Sequence, residues 1–433
     1  MRKTFKKLLA LSLALTISAA SLSGCGKSDS GKDGAQSGGQ GTVKLALGYW
    51  DKNQQKTMQA LCDAYTKLNP NVTVEIQLTP YKGSEYWTKL EASMNGGTAP
   101  DVFWMNALHV EKYLQGGMLE PLDTAAKAAN FDTAQFPPAL VSAYTFDSKL
   151  YAIPKDFDTN AVWYNKEIFD AAGVSYPQKG WTWDEMVATA KKLTNKDKGI
   201  YGIAAPLDSQ TCYYSTMFAN GGYVLNKDKT ATGFSDPKSL KGIQCWIDLI
   251  TAGISPTLAQ TTDTSADAMF ESGKLAMCWA GSYMTPEYLQ NEAIKDKVNL
   301  VELPIFDGKE GNVINGLGYS VYSKSSQKSE ATKLALWLGG EEAMKIQGQA
   351  GAVISARNDA QKYFAETYPK LNMAAYTDKA KIATAFPACL VSSELIDAET
   401  KYLKQAYAGQ MSLADACAQL DKENSALLAK IKK

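Results

Sequence analysis

Apolar and polar positions along the chain switch repeatedly between a strand period and a helix period. Val43-Lys-Leu-Ala-Leu-Gly-Tyr49 alternates and predicts a strand. Met58, Leu61, Cys62, Tyr65 and Leu68 then recur at i, i+3, i+4, i+7 and i+10, the apolar face of a helix. Asn69-Pro70 supplies its stop. Val72, Val74, Ile76 and Leu78 alternate in a second strand, followed by a predicted helix over 84–95 and an apolar strand over 101–105. Strand, helix, strand, helix, strand is the order of a parallel α/β sheet.

Further on, residues 151–165 read as extended. A helix is expected from Trp183, because Thr182 and Glu185 have capping-box spacing. Gly221-Gly222 marks a turn. Helices are expected over 239–251, 264–273, 330–338, 341–348 and 413–430, the last with Ser412 and Asp415 as a capping box. No repeat of 20 to 50 residues is present, which argues against a solenoid.

Composition narrows the class. A chain of 433 residues is long enough for two domains, and 45% hydrophobic with 21% charged residues is ordinary for a folded globular protein. Lys+Arg and Asp+Glu both number 45, and Arg2, Lys3, Lys6 and Lys7 fall in the first seven residues, so the remainder is mildly acidic. That excludes the basic footprint of a nucleic-acid binder. Arg357 is the only arginine after Arg2, and since arginine is the usual bidentate clamp for phosphate and carboxylate, a strongly anionic ligand is disfavoured. The seven cysteines (25, 62, 212, 245, 278, 389 and 417) contain no C-x-x-C pair, so neither a zinc site nor a thioredoxin-like site is supported, and no metal or cofactor is expected. Cys62 falls on the apolar face of its helix, and spacing does not assign disulfides among the rest.

The first 25 residues have the layout of a signal peptide: a basic start, an apolar run from Leu8 to about Ala20, then small residues. The run is short for a membrane span, which takes about 20 apolar residues. Leu22-Ser23-Gly24-Cys25 resembles the bacterial lipobox, which implies lipidation of Cys25. Residues 26–42 begin with a stretch lacking any apolar side chain larger than Ala; it cannot offset the entropy of ordering and is expected to act as a flexible tether. The expected location is the extracellular face of the bacterial cell membrane, with the lipid as anchor.

An ordered set of short motifs follows. Thr98-Ala-Pro-Asp-Val-Phe-Trp-Met-Asn106, Gly117-Met-Leu-Glu-Pro-Leu-Asp123 and Tyr151-Ala-Ile-Pro-Lys-Asp-Phe-Asp-Thr159 come first. Trp163-Tyr-Asn-Lys166, Ala172-Gly173 and Gly180-Trp-Thr-Trp-Asp-Glu185 come next. Phe270-Glu-Ser-Gly-Lys-Leu-Ala-Met277, Gly281-Ser282 and Gly316-Leu-Gly-Tyr-Ser320 complete it. Over residues 43–433 the chain resembles family 1 of the extracellular solute-binding proteins, the group that includes maltose-binding protein. The resemblance implies a periplasmic-binding-protein-like α/β fold, with two α/β lobes joined by a multi-strand hinge and a ligand cleft between them. The N-lobe would be 43–155 and 318–350, the C-lobe 160–311 and 357–433, and the hinge crossings 156–159, 312–317 and 351–356. It implies a monomeric receptor that captures a sugar or oligosaccharide by hinge closure and hands it to the permease of an ABC importer with its ATPase.

A neutral sugar offers hydroxyls at its edge and C–H groups on its faces. Charged and amide side chains bind the edge and flat rings bind the faces. Each hydrogen bond gives only about 1 kcal/mol net, so several must act together. Candidates at expected strand ends and crossings are Trp50, Asp51, Trp104, Asn106, Asp156, Phe157, Asp158, Tyr213, Trp279, Ser282, Tyr283, Gly316 and Arg357. Each also has a packing or capping reading: Asp51 and Asn106 as helix caps, Trp50 and Trp104 as core, Arg357 as a salt bridge. Trp181 and Trp183 read as structural, and His109, the single histidine, as a surface or capping residue.

The alternatives are a cell-surface glycoside hydrolase, which needs two suitably spaced carboxylates, an adhesin, and a binding protein for a glycerol-phosphate-like solute. No G-x-S-x-G, H-E-x-x-H or phosphate-loop motif is present.

Overall fold

The computed structural model describes residues 42–80 and 85–431. The signal segment, Cys25 and the tether up to residue 41 lie outside them.

Two sheets organise the chain. The first has five strands in the order Val72–Leu78, Val43–Tyr49, Val102–Asn106, Leu317–Val321 and Ile153–Pro154. Its first three strands pair in parallel, as the alternation predicts. Leu317–Val321 is antiparallel to both its neighbours, so the sheet is mixed rather than purely parallel. That strand enters from the other lobe, and its return path fixes its direction. The second sheet has four strands in the order Val298–Glu302, Asn160–Asn165, Leu275–Gly281 and Tyr201–Ile203.

The expected extended stretch 151–165 is broken into three pieces. Ile153–Pro154 joins the first sheet, Asp156–Phe157 pairs with Ile354–Ser355, and Asn160–Asn165 joins the second sheet. Asp158 also bridges Asn315. Three stretches of chain thus run side by side between the sheets.

Each lobe has its own core. Met58, Leu61, Cys62 and Tyr65 on helix Gln55–Leu68 bury against Leu45, Leu47 and Val102. In the second lobe, Leu275–Gly281 is buried along its whole length, with Trp183, Trp246 and Trp279 on one side. A third cluster joins Phe136, Leu140, Phe157 and Ile354 to Trp163 and Ala280, so apolar packing continues under the crossings. Burying each such large side chain contributes about 1.5–3 kcal/mol.

The Thr182–Glu185 capping box forms, with Thr182 accepting from the Glu185 amide and Glu185 from the Thr182 amide. At Ser412 half of the expected box forms. Its hydroxyl caps the Asp415 amide, and the Asp415 carboxylate accepts from that hydroxyl instead of from a backbone N–H. The helix expected over 264–273 is Ala266–Glu271, preceded by a separate helix, Leu258–Asp263. The six described cysteines carry free thiols.

Candidate functional site

A cavity of ≈ 750 Å³ lies where the carboxyl ends of strands from both sheets meet the crossings, the usual place for a ligand in open α/β sheets. Trp50, Asp51 and Gln54 reach it from the end of Val43–Tyr49, and Asn106 from the end of Val102–Asn106. Asp208 and Gln210 follow Tyr201–Ile203, and Tyr283 follows Leu275–Gly281. Asp156, Asp158, Asn315 and Gly316 come from the crossings.

On the first-lobe side the polar groups form a relay. Asp51 Oδ1 accepts from the Asn53 amide at 2.9 Å, and Gln54 Nε2 donates to Asp51 Oδ2 at 3.0 Å. Gln54 Oε1 accepts from Lys155 Nζ at 2.8 Å, and Lys155 Nζ meets Asp156 Oδ2 at 2.5 Å. Lys155 is fully buried, with its ammonium 4.2 Å over the Trp104 ring. Burial pulls the Lys155 pKa down, and the Asp156 charge opposes that pull. The other Asp156 oxygen accepts from the Leu317 amide at 2.9 Å.

The opposite side centres on Gln210. Its Nε2 donates to Asp158 Oδ2, its Oε1 accepts from Asn315 Nδ2 at 2.9 Å, and its backbone carbonyl accepts from Asn160 Nδ2 at 2.6 Å. Burial, and then the Asp156 charge, push the Asp158 carboxyl well above the usual carboxylate range. A protonated Asp158 can donate as well as accept, which suits a hydroxyl partner.

Two aromatic rings face this polar set. Trp50 is half-buried and packs against Tyr86 at 4.8 Å and Trp104 at 5.1 Å. Tyr283 is 46% exposed. It sits over Gly281, where a Cβ would come within 2.4 Å of its ring, so a side chain at this position would displace Tyr283 from its place over the cavity. Gly316 is needed as glycine, because a Cβ there would lie 2.3 Å from the Asp156 carbonyl, so it serves the close packing of the crossings.

Seven of the candidates therefore line the cavity: Trp50, Asp51, Asn106, Asp156, Asp158, Tyr283 and Gly316. Asp51 and Asn106 are also helix caps, as their other reading has it. The structure does not bring the other six to its wall. Trp104 is fully buried behind Trp50, because its strand is covered on both faces. Phe157 belongs to the core beneath the crossings. The Tyr213 hydroxyl turns away to donate to buried Glu399. Trp279 is 5% exposed and packs on Trp183 and Trp246. Ser282 is buried. Arg357 forks Asp359 at 3.0 and 2.7 Å, its salt-bridge reading. His109 neither caps a helix nor lies fully on the surface: it stacks on Trp87 at 3.8 Å. Trp181 and Trp183 are buried, as expected.

Gln54, Asp208, Gln210 and Asn315 escape the sequence reading. Asp208 and Gln210 follow a strand of only three residues, too short for periodicity to register. Among the described residues, no group of three or more His, Cys, Asp or Glu could hold a metal ion, and no helix is long and apolar enough to cross a membrane.

Residues 49–345 match the bacterial extracellular solute-binding proteins. The chain belongs to that family. The galactooligosaccharide-binding protein of Bacillus subtilis is 24% identical over 353 residues, which cover 78% of this chain and 79% of the relative. Among solved structures, an ABC substrate-binding protein of Listeria monocytogenes in complex with cycloalternan superposes with a TM-score of 0.81 at 22% identity. It covers 90% of this chain and 99% of its own. A solute-binding protein of Thermotoga lettingae bound with α-D-tagatose gives a TM-score of 0.77 at 23% identity, over 89% of this chain and all of its own, 100%. These structures share the two-lobed α/β fold.

Proposed function

We propose that the protein is the extracellular receptor of a bacterial ABC importer and that its ligand is an uncharged sugar or oligosaccharide. One observation carries this reading: the cavity at the crossings gathers Trp50 and Tyr283 with amide and carboxylate groups from both lobes. Flat rings suit sugar faces, and charge-assisted acceptors suit hydroxyl edges. Asp51, Asp156, Asp158 and Asp208 line the cavity beside Lys52. That excess of carboxylates opposes a glycerol-phosphate-like anion. The named ligands of the relatives, galactooligosaccharide, cycloalternan and tagatose, are in keeping with the same class.

In this reading the crossings at 156–159, 312–317 and 351–356 are the hinge. Ligand settles on one lobe, and closure adds contacts from the other. Closure is favoured only by the extra affinity of the closed state. The closed monomer docks on the permease, and the lipid on Cys25 keeps it at the membrane. The receptor releases its sugar unchanged.

Calorimetry against mono- and oligosaccharides, with product analysis of the same mixtures, tests the reading. A saturable isotherm with intact sugar is expected. Cleavage would support the glycoside hydrolase instead, for which Asp158, with its raised carboxyl pKa, beside ion-paired Asp156 is the relevant pair. X-ray scattering should show a smaller radius of gyration with ligand, and superimposable profiles would overturn hinge closure.

A further inference from the structure

Outside the ligand cavity the two lobes meet again at an ion pair. Lys229 Nζ lies 3.3 Å from Glu111 Oε2, and neither residue lines the cavity. Glu111 stands on helix Ala107–Gln115, whose Ala107, Val110 and Tyr113 are buried in the first-lobe core. Lys229 stands at the tip of an arm, residues 224–233, and Val224 and Phe234 at its base belong to the second-lobe core. The pair therefore joins the lobes at a place apart from the crossings. Helix Ser392–Tyr407 of the second lobe also comes up to helix Ala107–Gln115.

The arm is built to hold its tip still. Leu225 and Thr232 form an antiparallel bridge, and the Gly233 amide donates to the Val224 carbonyl at 3.1 Å. Between them Asn226 Oδ1 accepts from the Thr230 and Ala231 amides at 2.7 and 3.2 Å. The Lys229 amide closes the turn onto the Asn226 carbonyl at 3.0 Å. Lys229 has a φ of 53°, in the left-handed region that few residues other than glycine adopt, and these bonds keep it there. The base is fastened to helix Leu413–Leu428: Asp421 accepts from the Phe234 and Ser235 amides at 3.0 and 2.8 Å and from the Thr232 hydroxyl at 2.7 Å. Leu225 packs against Cys389, Leu395 and Leu428. A side chain presented from so firm an arm has less freedom left to lose on pairing, which lessens the entropy cost that makes most surface ion pairs weak.

We propose that Lys229 and Glu111 form an electrostatic clasp between the lobes, which favours the closed form and so sets the affinity for the solute without touching it. Opening at the crossings parts the two residues, so the pair contributes to the closed state alone. A ligand that selects the closed state then binds more tightly in proportion to its population. The helix that carries Glu111 begins at Asn106, which caps it and lines the cavity. Clasp and ligand therefore act on the same rigid element of the first lobe. The inference rests on the hinge reading of the crossings and adds an affinity-setting contact outside the solute's reach.

The test is a charge-reversal cycle on the full chain, with Glu111→Lys, Lys229→Glu and the double variant. Calorimetry with maltotriose and galactotriose reads affinity, and X-ray scattering reads closure. Each single reversal should weaken affinity by about fivefold and raise the radius of gyration of the ligand-free protein. The double variant should restore both, and the loss should shrink in about 0.5 M salt. Melting curves check that the variants remain folded, and rescue by the double reversal is a readout that a merely structural role would not give. Single variants with wild-type affinity and a wild-type scattering profile, or a loss that the double variant does not restore, overturn the clasp and leave hinge closure standing. A wild-type profile that sugar binding does not change overturns hinge closure and the clasp together. If neither sugar binds, the carbohydrate reading loses its support, and the scattering of the ligand-free variants decides the clasp.

Discussion

The two walls of the ligand cavity are built by different means. On the first-lobe side, Asp51 caps the turn that follows it, Gln54 lies three residues on, and the relay ends in a charged pair, Lys155 with Asp156. On the second-lobe side, Gln210 is held by neutral bonds to Asn315 and Asn160 and by Asp158, and the segment behind it is fixed by Glu399, which lies 186 residues from Tyr213 in sequence. The first wall combines short-range caps with one buried ion pair. The second is assembled from distant pieces that only the fold brings together.

The sharpest way to break this comparison is at the charges. Lys155→Met leaves Asp156 buried without its cation and should destabilise the protein by about 3–5 kcal/mol, whereas Gln210→Ala removes neutral bonds and should cost about 1–3 kcal/mol. Chemical denaturation of both variants measures the difference, and equal losses would contradict the contrast.

Next in size is binding. Trp50→Ala should weaken sugar affinity by about thirtyfold or more, as truncation of a central aromatic does. It should also lower the melting temperature, because Trp50 packs on Tyr86 and Trp104. Tyr283→Ala should weaken affinity by about tenfold with little change in melting temperature, since Tyr283 is 46% exposed. Calorimetry paired with thermal melts separates the two.

Smaller are two opposed pH effects, one in each lobe. Burial pushes the Glu399 carboxyl up to about 7, above an unfolded value of about 4.3. Its stability contribution is fully present below the unfolded value and is lost as pH rises through about 7. His109, stacked on Trp87, is lowered to about 4 by burial, below an unfolded value of about 6.5. Its contribution is present above the unfolded value and is lost as pH falls through about 4. Melting curves from pH 4 to pH 8 should therefore lose part of their alkaline fall in Glu399→Gln and part of their acid fall in His109→Phe. Smallest of all, Arg357→Ala should leave affinity unchanged and cost under about 1 kcal/mol, because its ion pair with Asp359 is partly exposed and local.

The same division explains what could be read without a structure. Trp50, Asp51 and Asn106 were legible because strand ends and caps are short-range features. Trp279 was misplaced because periodicity locates a strand without saying which of its residues a neighbouring helix will cover; here Trp183 and Trp246 cover it. Asp208 and Gln210 were missed because the strand before them is three residues long. The single stretch expected over 151–165 became three pieces because its residues pair with partners more than a hundred positions away.

By itself the sequence determined the alternation of strands and helices, the capping sites, the scarcity of arginine and the ordered motifs that mark the family. All of these depend on residue types at short spacing or in a fixed order. Only the tertiary structure decided which aromatics face solvent, that Lys155 stands buried behind the site, that Glu399 holds Tyr213 and Tyr214, and that Asp208 and Gln210 reach the cavity. These depend on which distant segments the sheets bring within bonding distance, and hydrophobic pattern carries no record of that choice.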